Sequence, residues 1–187
     1  MAGRYMLWCL ISPAVIMLAA CQRPLLRDGV LADGFPLQDS SRYTAPAACL
    51  QNVKLQSDNK VKYYQLVYDA TSDVHQLLIL STIGQRLVTV THSGMQVDIH
   101  KSLPISMDVS PKELLRVMQL VYWPVSALNE GTRRTGWRVE QAATSRQIYR
   151  ERKSVAKIEY REFYECQGVV DYRSDSGEIL HIQSISF

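Results

Sequence analysis

The sequence predicts a mainly β domain, an antiparallel meander of about ten short strands curled into a barrel or an open half-barrel and broken once by a helix. Three features carry that prediction. Apolar and polar residues alternate with period two from Cys49 onward. Turn pairs such as Ile83-Gly84 and Ser93-Gly94 punctuate the alternation at hairpin spacing. One segment, Ser110 to Trp123, switches to the period of a helix and carries both start and stop signals.

The chain opens on an apolar run. Arg4 is a thin positive flank, and Tyr5 to Leu18 is almost wholly apolar yet too short to span a bilayer comfortably. The run ends in Leu18-Ala19-Ala20-Cys21, which reads as a bacterial lipobox. Residues 1–20 are then a signal peptide, and Cys21 becomes a mature N-terminus carrying an N-acyl diacylglycerol, whose several chains anchor where a single chain would hold only marginally. The alternatives are an ordinary signal peptide or a short buried helix that ends in cysteine. Gln22 follows, rather than the aspartate that retains many proteobacterial lipoproteins at the inner membrane. The expected place is therefore the outer membrane, on its periplasmic face. Residues 21–48 hold Pro24, Gly29, Gly34, Pro36 and Pro46 and read as a tether with an end-to-end distance of roughly 25–30 Å, in which Val30 to Leu37 is open to an edge strand or a helical turn.

The domain proper is expected over residues 49–187. Lys60 to Tyr68, His75 to Ser81 and Arg86 to Thr91 are strands rich in β-branched, aromatic or apolar residues, and Met95 to His100 alternates as a half-buried strand should. After them, Ser110 is a helix N-cap, Pro111 takes the first helical position and Glu113 the third. Leu114, Met118 and Val121 fall on one face with Leu115 and Tyr122 beside them, and Pro124 stops the helix just past Trp123. Trp137 to Gln141, Gln147 to Arg152, Val155 to Glu162, Gly168 to Arg173 and Ile179 to Phe187 complete the strands, the last two parted by Ser174-Asp175-Ser176-Gly177. The helix must bury its stripe on the concave face of the sheet. Either it plugs the core, or it and the sheet enclose an apolar cavity lined by adaptable side chains such as Met118.

A net charge of +3 gives no nucleic-acid signature, and an enzyme is not expected. There is no GxSxG, HExxH or phosphate-cradling glycine loop. His75, His92, His100 and His181 are scattered without metal-ligand spacing and are expected on solvated strand faces, with no metal. Arg133-Arg134 and Arg146 to Lys157 form a basic region, which is either the wet face of a hairpin or a surface for anionic headgroups or an acidic carrier. Cys9 leaves with the signal peptide and Cys21 carries lipid, which leaves Cys49 and Cys166 as a disulfide pair or as two separately buried thiols.

Several stretches resemble the LolB family of outer-membrane lipoprotein receptors, which accept lipoproteins from the periplasmic carrier LolA. Leu78-Ile79-Leu80-Ser81-Thr82-Ile83-Gly84-Gln85-Arg86-Leu87 is similar to that family's apolar strand, Pro-Leu-Gly turn and following strand. Ser110 to Tyr122 matches its mid-chain helix, Trp123-Pro124-Val125-Ser126-Ala127-Leu128 its P-x-x-x-L segment, and Thr135-Gly136-Trp137-Arg138-Val139 its x-G-W-x-V strand. The chain departs from the family between Tyr160 and Asp171, and Tyr63 and Tyr64 replace its early tryptophans.

The resemblance implies an open half-barrel of about eleven antiparallel strands with helices covering its mouth. It implies a hydrophobic cavity for acyl chains such as palmitate, lined here by Leu87, Val97, Ile99, Leu114, Met118, Val121, Trp123 and Trp137. The implied partners are a lipid or acylated cargo, a LolA-like carrier and the outer membrane, with the protein a monomer. The family's exposed turn leucine, which enters the membrane to deliver cargo, corresponds to Ile83, a β-branched residue where a hairpin tip calls for Gly, Asn or Asp. Without the resemblance, Ile83 could equally tuck into the core. A second class of function stays open: a scaffold or accessory lipoprotein of an envelope or polyene-lipid assembly system that carries no lipid.

Overall fold

The computed structural model describes residues 34–45, 48–57, 59–104, 107, 109–164 and 166–185. The expected signal peptide, the expected lipidation site Cys21 and the first part of the expected tether lie outside the described residues. Ten strands build one antiparallel sheet: β1 (Cys49–Ser57), β2 (Lys60–Asp69), β3 (Val74–Leu80), β4 (Arg86–Ser93), β5 (Gln96–Lys101), β6 (Trp137–Gln141), β7 (Ser145–Arg150), β8 (Lys153–Tyr164), β9 (Gln167–Ser174) and β10 (Ile179–Ile185). Their spatial order is β5-β4-β3-β2-β1-β10-β9-β8-β7-β6. Two meanders, β1–β5 and β6–β10, thus meet where the first strand pairs with the last, Val53 opposite Ile182 and Leu55 opposite Leu180. The outer strands β5 and β6 do not pair with each other, so the expected half-barrel is open.

Period two explains which face is buried. Val53 and Leu55 of β1, Tyr64, Leu66 and Tyr68 of β2, Leu77 and Ile79 of β3, and Leu180 and Ile182 of β10 all turn to the core. The antiparallel order also sorts the turns onto two rims. One rim carries the β1–β2, β3–β4, β7–β8 and β9–β10 turns, the end of β5 and the start of β6. The opposite rim carries the β2–β3, β4–β5, β6–β7 and β8–β9 turns.

Between β5 and β6 lie α1 (Pro111–Tyr122) and α2 (Val125–Thr132). As the spacing predicts, Ser110 caps α1, its side chain accepting from the Lys112 amide at 3.3 Å, with Pro111 at the start. The buried surface of α1 is wider than the predicted stripe, because Val117, Gln119 and Leu120 are enclosed along with Leu114, Leu115, Met118 and Val121. What encloses that side is a segment the sequence suggested was tether. Phe35 and Leu37 are buried, Ser40–Arg42 forms a 3-10 turn, and the amide of Gln119 brackets the backbone of Gln38, accepting from its N–H at 2.9 Å and donating to its C=O at 3.1 Å. Residues 35–45 are therefore a strap across α1, and the folded unit begins well before Cys49. Phe35 and Leu37 carry enough apolar surface to dock, which the surrounding prolines and glycines obscured.

The strap starts against Trp137 of β6, where the Phe35 ring meets the indole edge-on at 5.4 Å, and ends at the opposite rim. There Ser40 exchanges backbone and side-chain bonds with Gly94, and the Ala45 amide reaches Ala70 O at 2.7 Å. In α2, Asn129 brackets Val139 of β6 in the same two-pronged way, at 2.8 Å for both bonds. One outer strand of the sheet is thereby covered by a side-chain amide.

The C-terminal end of α1 is buried among strands from both meanders. Its free carbonyls are taken up by side chains: Arg146 of β7 donates to Leu120 O at 2.6 Å and Trp123 O at 2.7 Å, and the Tyr160 hydroxyl of β8 donates to Val121 O at 2.9 Å. The Arg146 guanidinium also lies over the Tyr160 ring, 5.5 Å from its centre. Replacing Arg146 by Met leaves two buried carbonyls without donors and should cost about 2–4 kcal/mol in denaturant unfolding. A loss under about 0.5 kcal/mol, the range of an ordinary surface substitution, would show that the capping contributes little.

Cys49 and Cys166 are bonded, with Cα atoms 5.2 Å apart and a sequence separation of 117. The bond joins the start of β1 to the β8–β9 turn past the end of β10, and the reading of two separate thiols falls. Closing so long a loop is worth about 4–5 kcal/mol by the chain-entropy model. Unfolding curves with and without reductant should differ by an amount of that order. Both cysteines should also resist thiol labelling in the denatured, unreduced protein.

Candidate functional site

The eight residues expected to line an acyl cavity divide by position. Leu114, Met118, Val121 and Trp123 of the helical segment, Leu87 of β4 and Trp137 of β6 belong to one continuous buried apolar cluster. Val97 is half-buried against the same cluster. Ile99 does not belong to it, being 42% exposed. The predicted half-buried strand at Met95–His100 is the outer strand β5, and apart from Val97 its side chains are exposed. Alternation in sequence marks a strand, but does not tell an outer strand from one backed by a second layer.

His75 and His92 also lie elsewhere than expected. Both are buried, whereas His100 is exposed and His181 half-exposed. Strand parity explains it: His75 shares a face with Leu77 and Ile79, and His92 with Val88 and Val90. The two pair directly across β3 and β4, rings edge-on at 5.9 Å. His75 completes a chain of hydrogen bonds. The Trp123 indole donates to the Tyr68 hydroxyl at 3.0 Å, that hydroxyl reaches His75 Nδ1 at 3.4 Å, and His75 Nε2 donates to Tyr43 O of the strap at 2.9 Å. Those partners suit the neutral Nε2–H tautomer, with Nδ1 accepting from the Tyr68 hydroxyl. Neither ring nitrogen of His92 is hydrogen-bonded; the Gly94 backbone is close enough to favour its charged form slightly but lies outside bonding geometry. A second polar group sits nearby, where Gln51 Nε2 donates to the Tyr122 hydroxyl at 2.6 Å and that oxygen meets Ser184 Oγ at 2.9 Å.

The electrostatics of this interior run one way. Burial pushes the phenols of Tyr68 and Tyr160 up and that of Tyr122 up to about 12, and it lowers the pKa of His75. Burial, followed by the charge of neighbouring His75, lowers His92 to about 4. Each of these groups is held neutral near pH 7, and the Arg146 guanidinium is matched by helix carbonyls. Among the described residues there is no cluster of three or more His, Cys, Asp or Glu able to share a metal ion.

The exposed counterpart is the β3–β4 turn. Gly84 donates to Ser81 O at 2.9 Å, the Ser81 amide to Gln85 O at 2.8 Å, and the Gln85 amide to Ser81 Oγ at 3.1 Å. Gly84 sits at φ +78°, a conformation that glycine adopts without strain. This tight loop holds Ile83 85% exposed, so the alternative of an isoleucine tucked into the core falls. Thr82 of the same turn borders a depression of about 370 Å³ on the outward face of β1, β2 and β10, lined also by Asn52, Lys54, Tyr63, Gln65, His181 and Gln183. The sequence reading missed it, although these are the polar partners of the alternation that marked the strands.

The buried histidines give the protein an acid-sensitive stability. An unfolded His92 takes up its proton near pH 6.5, whereas the folded one resists until about pH 4. Between those values the unfolded chain binds more protons, so stability present above pH 6.5 is lost as pH falls, by roughly 2–3 kcal/mol for this group. His75, lowered in the same direction, adds to the slope. Melting temperature should therefore drop between pH 7 and pH 4.5, and His92→Phe should flatten the drop. An unchanged slope in that variant would assign the acid sensitivity to other groups.

No curated protein matches the chain. Residues 48–186 match a family described as a protein of unknown function, DUF3261, a stretch that takes in all ten strands and both helices and leaves out the strap. The chain belongs to the DUF3261 family.

Proposed function

We propose that the protein is a membrane-anchored periplasmic lipoprotein that binds acyl chains within its half-barrel and passes a lipid or lipoprotein cargo into the outer membrane, a role like that of LolB. Ile83 carries the reading. A large aliphatic side chain on a rigid turn, 85% exposed, costs hydration in water and is stabilised by hydrocarbon. The neutral, apolar interior supports the other half, because a palmitoyl chain needs burial and no chemical step. Cargo would arrive from a soluble carrier resembling LolA. Its chain would enter the cluster formed by Leu87, Leu114, Met118, Val121, Trp123 and Trp137 as α1 and the strap give way.

A scaffold or accessory lipoprotein that carries no lipid is the second reading. The enclosure of α1 on nearly every side favours it, since side chains already occupy the space a guest would take.

Ile83→Glu separates the two. An exposed tip residue replaced by Glu should shift stability by under about 0.5 kcal/mol. Transfer further requires that the variant still bind a fluorescent fatty-acyl probe but release it into liposomes far more slowly than the parent, because a carboxylate resists entering hydrocarbon. Absence of probe binding in the parent protein would favour the scaffold. Normal delivery by the variant would remove Ile83 from the mechanism.

A further inference from the structure

The two rims of the sheet differ in charge. The rim that bears Ile83 presents Lys60 at the β1–β2 turn, Arg86 after the β3–β4 turn, Lys101 at the end of β5 and Arg133-Arg134 before β6, all exposed. The β7–β8 turn adds Arg150, Arg152 and Lys153. Against these cations stand Glu130, which lines one depression with Arg133 and Arg134, Glu151, Asp175 and the buried Glu178, and the sequence adds Asp58. Lys153 pairs with Asp175 at 2.6 Å. The other seven have no ion-pair partner among the described residues. The Glu151 amide donates to Gly136 O at 2.5 Å, which brings the Arg133-Arg134 connector against the Arg150–Lys153 turn and concentrates five cations at one corner. The opposite rim has the contrary sign, with Asp69 and Asp73 in the β2–β3 turn, Glu162 near the β8–β9 turn and Asp39 beside Gly94, against Lys112, whereas Arg42 of the strap lines one depression with Arg133 and Arg134. Exposed Met95 and Tyr164 also lie on that side, so apolar exposure alone does not choose a rim, whereas charge does.

We infer that the Ile83 rim is a docking surface for an anionic phospholipid bilayer, with the arginines and lysines on the phosphates while Ile83 enters the acyl region. Charge complementarity argues for that occupant, each cation near an anionic surface adding an independent attraction within a Debye length. The course of the chain argues for it too. The strap begins at Phe35 against Trp137, the first residue of β6, on the side of this same rim. An anchor at Cys21 would then hold the basic rim against the membrane and leave the acidic rim facing the periplasm. This inference deepens the transfer reading and rests on it for the membrane. It assigns the headgroup class and the orientation.

The test is amide hydrogen exchange on the purified full chain reconstituted into vesicles of phosphatidylcholine alone or of phosphatidylcholine with phosphatidylglycerol. With phosphatidylglycerol, segments 81–86, 133–136 and 150–153 should exchange several-fold more slowly than without it. The difference should shrink at high salt, while segments 69–74 and 141–145 stay unchanged. The double variant Arg133→Glu, Arg134→Glu, which sits on exposed positions, should keep its melting temperature and lose the protection. Equal exchange in the two vesicle types, or protection of the opposite rim, overturns the inference. Failure here together with probe delivery that still depends on Ile83 would leave the transfer reading intact. Protection of this rim in a protein that binds no acyl probe would leave docking standing without transfer.

Discussion

The structure depends on satisfying the C-terminal end of α1. A helix that ends inside a protein leaves several carbonyls without amide partners, and burying them unpaired costs free energy for each one. Here that end lies among Gln51 of β1, Tyr68 of β2, His75 of β3, Tyr160 of β8 and Ser184 of β10, and Arg146 of β7 supplies the charge that its dipole favours. Strands from both meanders must be in place for the helix to end where it does. The two halves of the sheet are thus coupled through one helix terminus as well as through the β1–β10 ladder. The polar partners around it also explain how an interior can hold so many hydroxyl, imidazole and indole groups and remain neutral.

Two amides repeat one device at separate places. Gln119 brackets the strap at Gln38 and Asn129 brackets the outer strand at Val139, each side chain imitating the donor–acceptor pair of a neighbouring strand. The strap therefore gains the backbone pairing of a strand without joining the sheet. The strap also lies close to Gly131 in the last turn of α2, where a Cβ would meet the end of the Gln38 side chain.

Most of the fold was legible because it follows from local pattern. Alternation located nine strands to within a few residues, and the Ser110-Pro111 start with the Pro124 stop bounded α1 closely. What was not legible depends on partners distant in the chain. Pro124 was readable as the end of one helix, but not as the residue before α2. The prolines and glycines around Phe35 and Leu37 read as tether because the groove that receives them is made by residues far along the sequence. The burial of His75 and His92 was within reach, since both continue an apolar parity, but histidine on a strand is more often wet. Ile83 was legible as an anomaly, an aliphatic side chain where a turn needs none, and the structure shows it exposed. The outward depression beside Thr82 was hidden because its residues come from three strands that only the register brings together.

The pairing of β1 with β10 at the middle of the sheet has a consequence for how the protein comes into being. Strands far apart in sequence meet only late in folding. Until the final segment arrives, the β1–β5 half has an unpaired edge along β1 and no β7 or β8 to close over α1. A chain emerging N-terminus first cannot finish folding from its early part alone, and damage to β10 would reach the centre of the sheet rather than its border. The strand made last, β10, is the seam that joins the two halves.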